Sequence, residues 1–543
     1  METKLKIGRN EVVVRENFVD RAVNFVSPVR GNARFKARAT HAIAGGYAGA
    51  SKTRRSLKEW NPLGHDANSD LLPSLQYLRQ RSSDLVRNSP LAAGAINTAC
   101  TSIIGQGLKL QAEVDAEAAN ISDEEAQQWG RTAERLFNLW GNSKDCDITR
   151  TQNFAELQDL VLRSTLERGD IFSLLPNKIF KGSPFKLKVQ LIEADRVENK
   201  DFGVDTPMQS GGIQMDNSGA PVAVHILKGH PGNIYASNRE WYVVPVFGAL
   251  TGRRNVLHHY KKLRPGQSRG VPYLAPVIET LKQLERYTEA ELMAAVISGM
   301  FTVFIKTASD QDLDIFEPSS ETGGSTADED YKFGNGTVVS LGPDDEIDTA
   351  NPGRPNSEFD PFITSILRQV GVALEMPYEV LIKHFTASYS AARASLLEAW
   401  RFFNSRRVWV SNSFCQPVYE AFIDEQVADG RLNAPGYFND PLIRAGYLGA
   451  KWIGRPQGQI DPLKENNADV IAEDRGWKTA QENTAEKTGG DWFLKHKQRT
   501  KENALRKESG SMQPEETAQA TAQAALPLPV PEEDQTDEGL DDS

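Results

Sequence analysis

Residues 377–422 read PYEVLIKHFTASYSAARASLLEAWRFFNSRRVWVSNSFCQPVYEAF, which predicts a turn and a short loop followed by one long amphipathic helix. Ser390 is the expected N-cap, because its hydroxyl can accept a hydrogen bond from a free amide of the first turn. Apolar residues then recur at steps of three, four or seven, namely Leu396, Leu397, Trp400, Phe403, Val410, Phe414 and Phe422. Such a helix would run roughly 50 Å to Phe422, with a bend expected near Pro417, and is typical of an elongated subunit.

The composition indicates a multidomain chain with a substantial core. It has 543 residues, of which 39% are hydrophobic, and no apolar run is long enough to span a membrane. The N-terminus lacks an apolar signal core, so export through a cleaved leader is not expected. Cys100, Cys146 and Cys415 are few and widely spaced, which favours structural thiols in a reducing compartment and predicts neither a disulfide framework nor a zinc site.

Charge is concentrated at the two ends of the chain. The net charge is −11, yet residues 21–58 contain nine Lys or Arg and no acid, whereas no Lys or Arg follows Lys507. We expect residues 1–60 to be a basic disordered arm and residues 509–543 to be an acidic disordered tail. The alternative for the arm is contact with nucleic acid or with an acidic partner.

Between these ends, the pattern predicts helices mixed with strands, an α+β fold that is mainly helical. Ser122 and Asn153 begin predicted helices, and Gly169 ends the second of them. Alternation predicts strands at 185–192, 223–228, 241–246, 256–260, 301–306 and 337–341. Further helices are expected at 71–88, 91–104, 272–295 and 361–374, and as a pair within 462–507.

The search for chemical motifs gives little support for an enzyme. Asp310, Asp312, Asp314 and Glu321 match ligand positions of a calcium loop, but Ile315 stands where the loop needs glycine, so an acidic surface loop is favoured. His258 and His259 are neighbours on a predicted strand and would point to opposite faces, which does not suit joint metal binding. The sequence contains no HExxH, GxSxG, GxGxxG or GxxxxGK[ST] motif, so we predict no metal, no cofactor and no ATP hydrolysis.

The loop before the long helix is the favoured site. Its candidate residues are Lys383, His384, Phe385, Thr386, Ser388 and Tyr389, with Arg393 as a further cation expected to face the same space. Cationic, aromatic and hydroxyl side chains on one loop suit contact with a phosphate backbone without base recognition. For Arg401, Arg406 and Arg407, an ordinary solvated helix face is the simpler interpretation.

Several stretches, in order, resemble the lambda-type portal proteins of tailed phages. They are Asp70–Leu110 (DLLPSLQYLRQRSSDLVRNSPLAAGAINTACTSIIGQGLKL), Gln190–Val197 (QLIEADRV), Gly270–Ala295 (GVPYLAPVIETLKQLERYTEAELMAA), Phe359–Trp400 and Asp461–Glu465 (DPLKE). The resemblance covers about residues 60–505 and leaves out the arm and the tail. No single motif is very specific, and their shared order carries the assignment.

The resemblance implies a cyclic ring, a dodecamer of about twelve subunits, at one capsid vertex. It divides the chain into wing (61–299 and 390–460), clip (300–356), stem (357–376), tunnel loop (377–389) and crown (461–508). It implies double-stranded DNA in a central channel during packaging and ejection, and contacts with terminase, with head–tail connector proteins, and with a major capsid or scaffolding protein. The expected location is the virion, after assembly in the host cytoplasm.

Two alternatives remain open at this stage. One is a nuclease or protease of the same phage module, using residues such as Asp195, Asp310 and His384. The other is a head–tail adaptor ring through which no DNA passes. A ring of about a dozen subunits would separate the portal from the enzyme, and DNA within it would separate the portal from the adaptor.

Overall fold

The computed structural model describes residues 2–7, 10–15, 18–43, 48–50, 54–234, 240–299, 303–307, 345–349, 358–385, 388–456 and 462–509. The chain divides into two compact units, residues 1–66 and residues 67–543. The acidic tail lies outside the described residues apart from Ser509, and so do the predicted strand 337–341 and most of the segment 300–356.

The first unit has regular structure where we expected a disordered arm. Strands β1 (Glu2–Ile7) and β2 (Asn10–Arg15) pair antiparallel, and helices α1 (Phe18–Val26) and α2 (Pro28–Ile43) follow. The expectation of disorder is therefore wrong for these segments. It relied on charge, whereas the run of β-branched residues in β2 and the alanines of α2 favour a strand and a helix.

The second unit is mainly helical, with short antiparallel sheets. Its helices are α3 (Ala67–Asn88), α4 (Pro90–Ile103), α5 (Ala116–Ala119), α6 (Asp123–Gly141), α7 (Phe154–Arg168), α8 (Ile278–Gly299), α9 (Phe359–Ala373), α10 (Tyr378–Ile382), α11 (Tyr389–Val410), α12 (Gln416–Ala428), α13 (Pro441–Tyr447), α14 (Pro462–Asp474), α15 (Ala480–Thr488) and α16 (Trp492–Glu508). Capping boxes at Ser122 and Asn153 confirm two predicted helix starts.

The sheets are small, and neighbouring strands run antiparallel. Their strands are β3 (Lys109–Ala112), β4 (Asp170–Leu174), β5 (Gln190–Glu193), β6 (Gln209–Ser210), β7 (Ile213–Met215), β8 (Pro221–Leu227), β9 (Trp241–Pro245), β10 (Val256–Tyr260), β11 (Val303–Thr307), β12 (Asp345–Thr349) and β13 (Ala450–Ile453). The strand orders are β10-β4-β5, β6-β7-β8-β9, β13-β3 and β11-β12. Only the end of the predicted strand 185–192 is regular, because Leu187 and Val189 form isolated bridges.

The long helix is confirmed, but it starts earlier than predicted and contains an irregular turn. Ser388, not Ser390, is the N-cap, and the Ala392 N–H donates to the Ser388 carbonyl at 2.9 Å. A π-helical turn at Ser411–Cys415 joins α11 to α12, so that helical structure continues for about 60 Å. The turn lies just before Pro417, which has no N–H to donate to the preceding turn.

The long helix is anchored in an aromatic core. Phe137 of α6 lies 5.2 Å from Trp140, 5.3 Å from Phe154 and 5.4 Å from Phe422, measured between ring centroids. Phe414 stacks on Phe154 at 5.3 Å, so the π-helical turn and α12 both contribute a ring to this cluster. Of the predicted apolar face, Phe403, Val410, Phe414 and Phe422 are buried, whereas Leu397 is 44% exposed.

Other boundaries differ from the predictions in detail. The helix expected from Pro272 begins as a 3₁₀ turn at Ala275–Val277 and becomes α-helical at Ile278. The segment expected to be a loop at 377–389 contains the five-residue helix α10. The crown region 461–508 contains three helices where a pair was expected.

Candidate functional site: a cationic loop between two anchored helices

The cationic loop is short and is held at both ends. On one side, α10 packs on α4 and buries Val380 and Leu381 in the core. Lys383 then takes a left-handed conformation (φ 58°, ψ 35°), and the His384 N–H donates to the Glu379 carbonyl at 3.1 Å. On the other side, the loop ends at the N-cap of α11. These contacts fix the points at which the chain enters and leaves the loop.

The described loop side chains point away from the core. Lys383, His384, Phe385 and Ser388 are exposed, and the Phe385 ring remains 49% accessible. Thr386 and the side chain of Tyr389 lie outside the described residues. Among the residues that are described, neither Lys383 nor His384 forms an ion pair, so the Lys383 ammonium group and the His384 ring are both accessible to an anion.

Arg393 is in a different situation. Its guanidinium lies 3.6 Å from the Glu465 carboxylate of α14, with side-chain exposures of 40% and 24%. Further along α11, Arg401 pairs with Glu398 at 2.9 Å. Arg393 is thus a partly neutralised cation that connects α11 to α14, and it is a weaker candidate for DNA contact than Lys383.

Arg407 and Arg406 have structural partners. Arg407 donates to the carbonyls of Ser102 and Ile103 at the end of α4, and burial lowers the pKa of its guanidinium. Arg406 lies 5.2 Å from the Phe402 ring and 3.8 Å from the Glu375 carboxylate. These two arginines therefore fix α11 in place, which the expectation of a solvated face missed.

A tight turn between α9 and α10 determines where the loop is placed. The Met376 N–H donates to the Gly371 carbonyl at 2.9 Å, and Glu375 takes a positive φ of 52°. A Cβ at Gly371 would lie 2.6 Å from the Met376 carbonyl oxygen, so only glycine allows this approach. The Tyr273 hydroxyl also donates to the Leu374 carbonyl.

A buried ionic cluster joins α3, β4 and β10. The Asp170 carboxylate is fully buried and accepts hydrogen bonds from Arg269 (2.6 and 3.2 Å), Arg79 (2.7 Å), and the Gly270 N–H (3.2 Å), with His258 Nε2 at 3.1 Å. Burial alone would raise the pKa of Asp170, but Arg269 and Arg79 together outweigh it and hold that pKa well below its ordinary value. Burial lowers the pKa of His258, so its ring is neutral at pH 7. The cluster is structural, and sequence analysis missed it.

The two adjacent histidines point to opposite faces, as predicted. His258 stacks on Phe172 with ring centroids 4.0 Å apart. His259 faces Phe414 and shares a hydrogen bond of 2.8 Å with the Ser173 hydroxyl. The two rings therefore have separate partners on opposite faces of β10, and the structural role of the pair stays a prediction.

The structure also places Glu193, Asp195 and His230 close enough to hold a metal ion, a grouping that the sequence did not suggest. Arg168 already contacts both carboxylates, at 3.0 Å from Glu193, and neutralises them. Asp195 also lies 3.4 Å from Arg79. This arrangement satisfies the acids with arginine and favours an ion-pair network over a metal centre.

The residues of the enzyme alternative are not brought together among the described parts of the chain. Asp195 belongs to the network of Arg168 and Arg79, whereas His384 lies on the exposed loop. The third residue of that hypothesis, Asp310, lies outside the described residues, as do Asp312, Asp314 and Glu321 of the calcium-loop pattern.

The described residues thus place an exposed loop with Lys383 at the start of an anchored long helix. None of the helices in the described ranges is long and apolar enough to cross a bilayer. The chain belongs to the family described as phage portal protein, lambda family, whose model matches residues 53–407. This confirms the resemblance seen in the sequence; proteins of this family are structural components of the phage head.

Two curated relatives are similar to the chain over most of its length. Portal protein B of Escherichia phage lambda is 25% identical over 511 residues, which cover 90% of this chain and 95% of that protein. The portal protein of Escherichia phage N15 is 25% identical over 491 residues, covering 87% and 91%.

Solved structures also align with the chain. In the neck of an empty GTA particle computed with C6 symmetry, the matching chain has a TM-score of 0.41 and 13% identity, over 78% of this chain and 94% of that one. In the neck of the native GTA particle computed with C12 symmetry, the TM-score is 0.39 at 13% identity, over 75% and 92%.

Proposed function

We propose that copies of this chain form a closed ring of about twelve subunits at one capsid vertex, and that double-stranded DNA enters and leaves the head through its centre. Family membership supports the ring and its place in the particle. The observation that supports a DNA channel is the loop from Lys383 to Ser388 before the long helix. Its Lys383 is exposed and forms no ion pair among the described residues.

The physical reason is that a moving DNA duplex must be guided without being held. The chain as a whole is acidic, with a net charge of −11, so most of its surface repels phosphate. A few cations on a short loop contact successive phosphates without reading bases, and each such contact is weak and depends on salt. Repeated around a ring, they would keep the duplex centred.

The proposed regions follow the order of the chain. The wing comprises residues 61–299 and 390–460, the clip 300–356, the stem 357–376 around α9, and the crown 461–508 with α14 to α16. The tunnel loop, first assigned to 377–389, is reduced to Lys383–Ser388 because α10 occupies its beginning.

The proposed partners supply what this chain lacks. Its sequence has no GxxxxGK[ST] motif to hold a nucleoside triphosphate, so the energy for packaging must come from a separate ATPase. We assign that role to the terminase large subunit, docked on the clip. Head–tail connector proteins would take its place after packaging, and a major capsid or scaffolding protein would surround the wing. Assembly would take place in the host cytoplasm.

Purified protein should be imaged by negative staining and then tested for DNA retention in assembled particles. We expect rings with an open centre for the wild type and for Lys383→Ala combined with His384→Ala, and reduced DNA packaging or retention for the double variant only. Lys228→Ala is the control, because Lys228 is an exposed cation immediately after β8 that pairs with Glu240 at 2.7 Å.

Unchanged DNA passage in the double variant would contradict the assignment of the loop. A monomer or a particle with a solid centre would contradict the ring itself. An open ring through which no DNA passes would instead support the adaptor alternative.

A further inference from the structure

The last helix of the described chain has no buried side chain. Helix α16 extends over 17 residues, and its Leu494 and Leu505 are 66% and 63% exposed. They share one face with Gln498 and Lys501, since steps of four, three and four residues return to the same side of a helix. Helix α16 is held at its start by the half-buried Trp492 and Phe493, whose ring lies under the Arg131 guanidinium at 5.2 Å. Its later turns bury no side chain, so burial of the leucine stripe by a partner would stabilise them.

Helix α14 has a matching exposed stripe. Leu463, Val470 and Ile471 are 78%, 58% and 55% exposed. Val470 and Ile471 lie seven and eight residues after Leu463, which places them on the same side of the helix. The side of α14 that packs on α15 is a different one: Lys487 contacts Asp469 at 2.7 Å, and Asn483 donates to Glu473 at 3.2 Å. Among the described residues of one copy, the apolar stripe therefore remains exposed.

The two helices carry opposite charge. Helix α14 has one Lys and four acids, and α16 has six Lys or Arg and two Glu. Two of the acids, Glu465 and Asp469, already pair with Arg393 and Lys487 in the same copy, so the acidity of α14 toward a partner rests mainly on Glu473 and Asp474. Two copies of α16 would repel each other, and so would two copies of α14, whereas α14 and α16 attract. Charge therefore favours a contact between different surfaces of two copies, which is the type of contact that closes a ring.

We propose that the Leu494–Leu505 stripe of α16 docks on the Leu463–Val470 stripe of α14 in the neighbouring copy. The proposal rests on the ring of the proposed function and identifies one of its subunit interfaces. In a closed ring every copy uses each stripe once, so that none stays exposed. Binding of α16 to DNA would use its positive charge but would leave its two leucines in water, so the observations favour the neighbouring copy.

The native cysteines allow a direct cross-linking test. Cys100, Cys146 and Cys415 are all buried, so cysteines introduced at exposed positions react selectively. Rings of the variant Val470→Cys with Leu505→Cys would be isolated, checked by negative staining, and treated with a flexible bis-maleimide. We expect a ladder of covalent multimers on denaturing gels that extends up to the full ring.

The matched control is Val470→Cys with Arg499→Cys, because Arg499 is exposed on a different face of α16. In this control variant we expect no ladder of covalent multimers. Rings that assemble without a ladder in the first variant, or that give equal ladders in both, would overturn the interface while leaving the ring intact. A cross-link confined to single copies would also overturn it, and failure of the wild type to form rings would instead refute the proposed function.

A charge exchange tests the same contact in a variant that keeps both Leu494 and Leu505. With cross-linking cysteines at Val470 and Gln498, Lys501→Glu should lose most of the ladder, and the further change Asp474→Lys should restore it. An effect of Lys501→Glu that Asp474→Lys does not rescue would contradict the pairing. Loss of the ladder on addition of double-stranded DNA to wild-type-charge rings would show that α16 binds DNA instead.

Discussion

Asp170→Asn tests how strongly the buried ionic cluster stabilises the larger unit. Arg79 and Arg269 donate to one carboxylate oxygen, and Arg269 also donates to the other. An asparagine in either orientation would direct its NH₂ group at a guanidinium N–H. It would leave Arg269 without an ion-pair partner among the described residues, and Arg79 with Asp195 at 3.4 Å as its remaining counter-charge. Removing one partner from a buried ion pair costs about 3–5 kcal/mol, and we expect a loss in this range.

The assay is urea denaturation at pH 7, followed by tryptophan fluorescence at a fixed protein concentration. Because the pKa of Asp170 is depressed in the folded state, its contribution is complete above its ordinary value of 3.8 and is lost only as the pH falls through the depressed value. Neutral pH therefore measures the full effect. Asp195→Asn is the control, since that carboxylate is 20% exposed; we expect a cost of about 1 kcal/mol.

A double-variant cycle separates charge from packing. Arg79→Met removes one of the two cations, so Asp170→Asn should cost less in that background than in the wild type. Two results would contradict this reasoning. One is a loss of unfolding free energy for Asp170→Asn no larger than that for Asp195→Asn. The other is additivity of the losses for Arg79→Met and Asp170→Asn, which would mean that the two side chains do not interact.

Three further predictions concern single positions. Gly371→Ala should lower the free energy of unfolding by about 1–3 kcal/mol in a urea titration, because the alanine Cβ would lie 2.6 Å from the Met376 carbonyl oxygen. Alanine is the better helix former, so a stabilised variant would show that the turn between α9 and α10 can move to accept the Cβ. Asn153→Ala should cost about 1 kcal/mol by the same assay, since it removes the cap of α7, whereas Asn153→Asp should be nearly neutral. His259 has a pKa lowered by burial to about 3 from 6.5, so the unfolded chain takes up a proton first and the wild type loses stability as the pH falls below 6.5. The His259→Gln variant should lose less unfolding free energy than the wild type over that range, with a difference of about 1.4 kcal/mol per pH unit. If the stability of the two proteins changes in parallel with pH, His259 does not cause the loss.

The parts of the fold that sequence analysis predicted are those specified by residues close together in the chain. The capping boxes at Ser122 and Asn153 span four residues each, and the face of the long helix repeats within a few turns. Strand β4 was missed because four of its five residues are buried, which removes the alternation that marks a strand. Helix α10 was missed because five residues give no periodic signal.

The candidate site was only partly predictable for the same reason. That Lys383 and His384 lie on a loop could be read from the sequence, but whether a cation is free or paired depends on residues distant in the chain. Arg393 pairs with Glu465, and Arg407 binds the end of α4, more than 70 and 300 positions away respectively. Asp170 likewise combines residues 79, 258 and 269 around one carboxylate. Charge along a sequence therefore identifies where cations occur, and the fold distinguishes the arginines that fix the subunit from Lys383, the exposed cation that we propose contacts DNA.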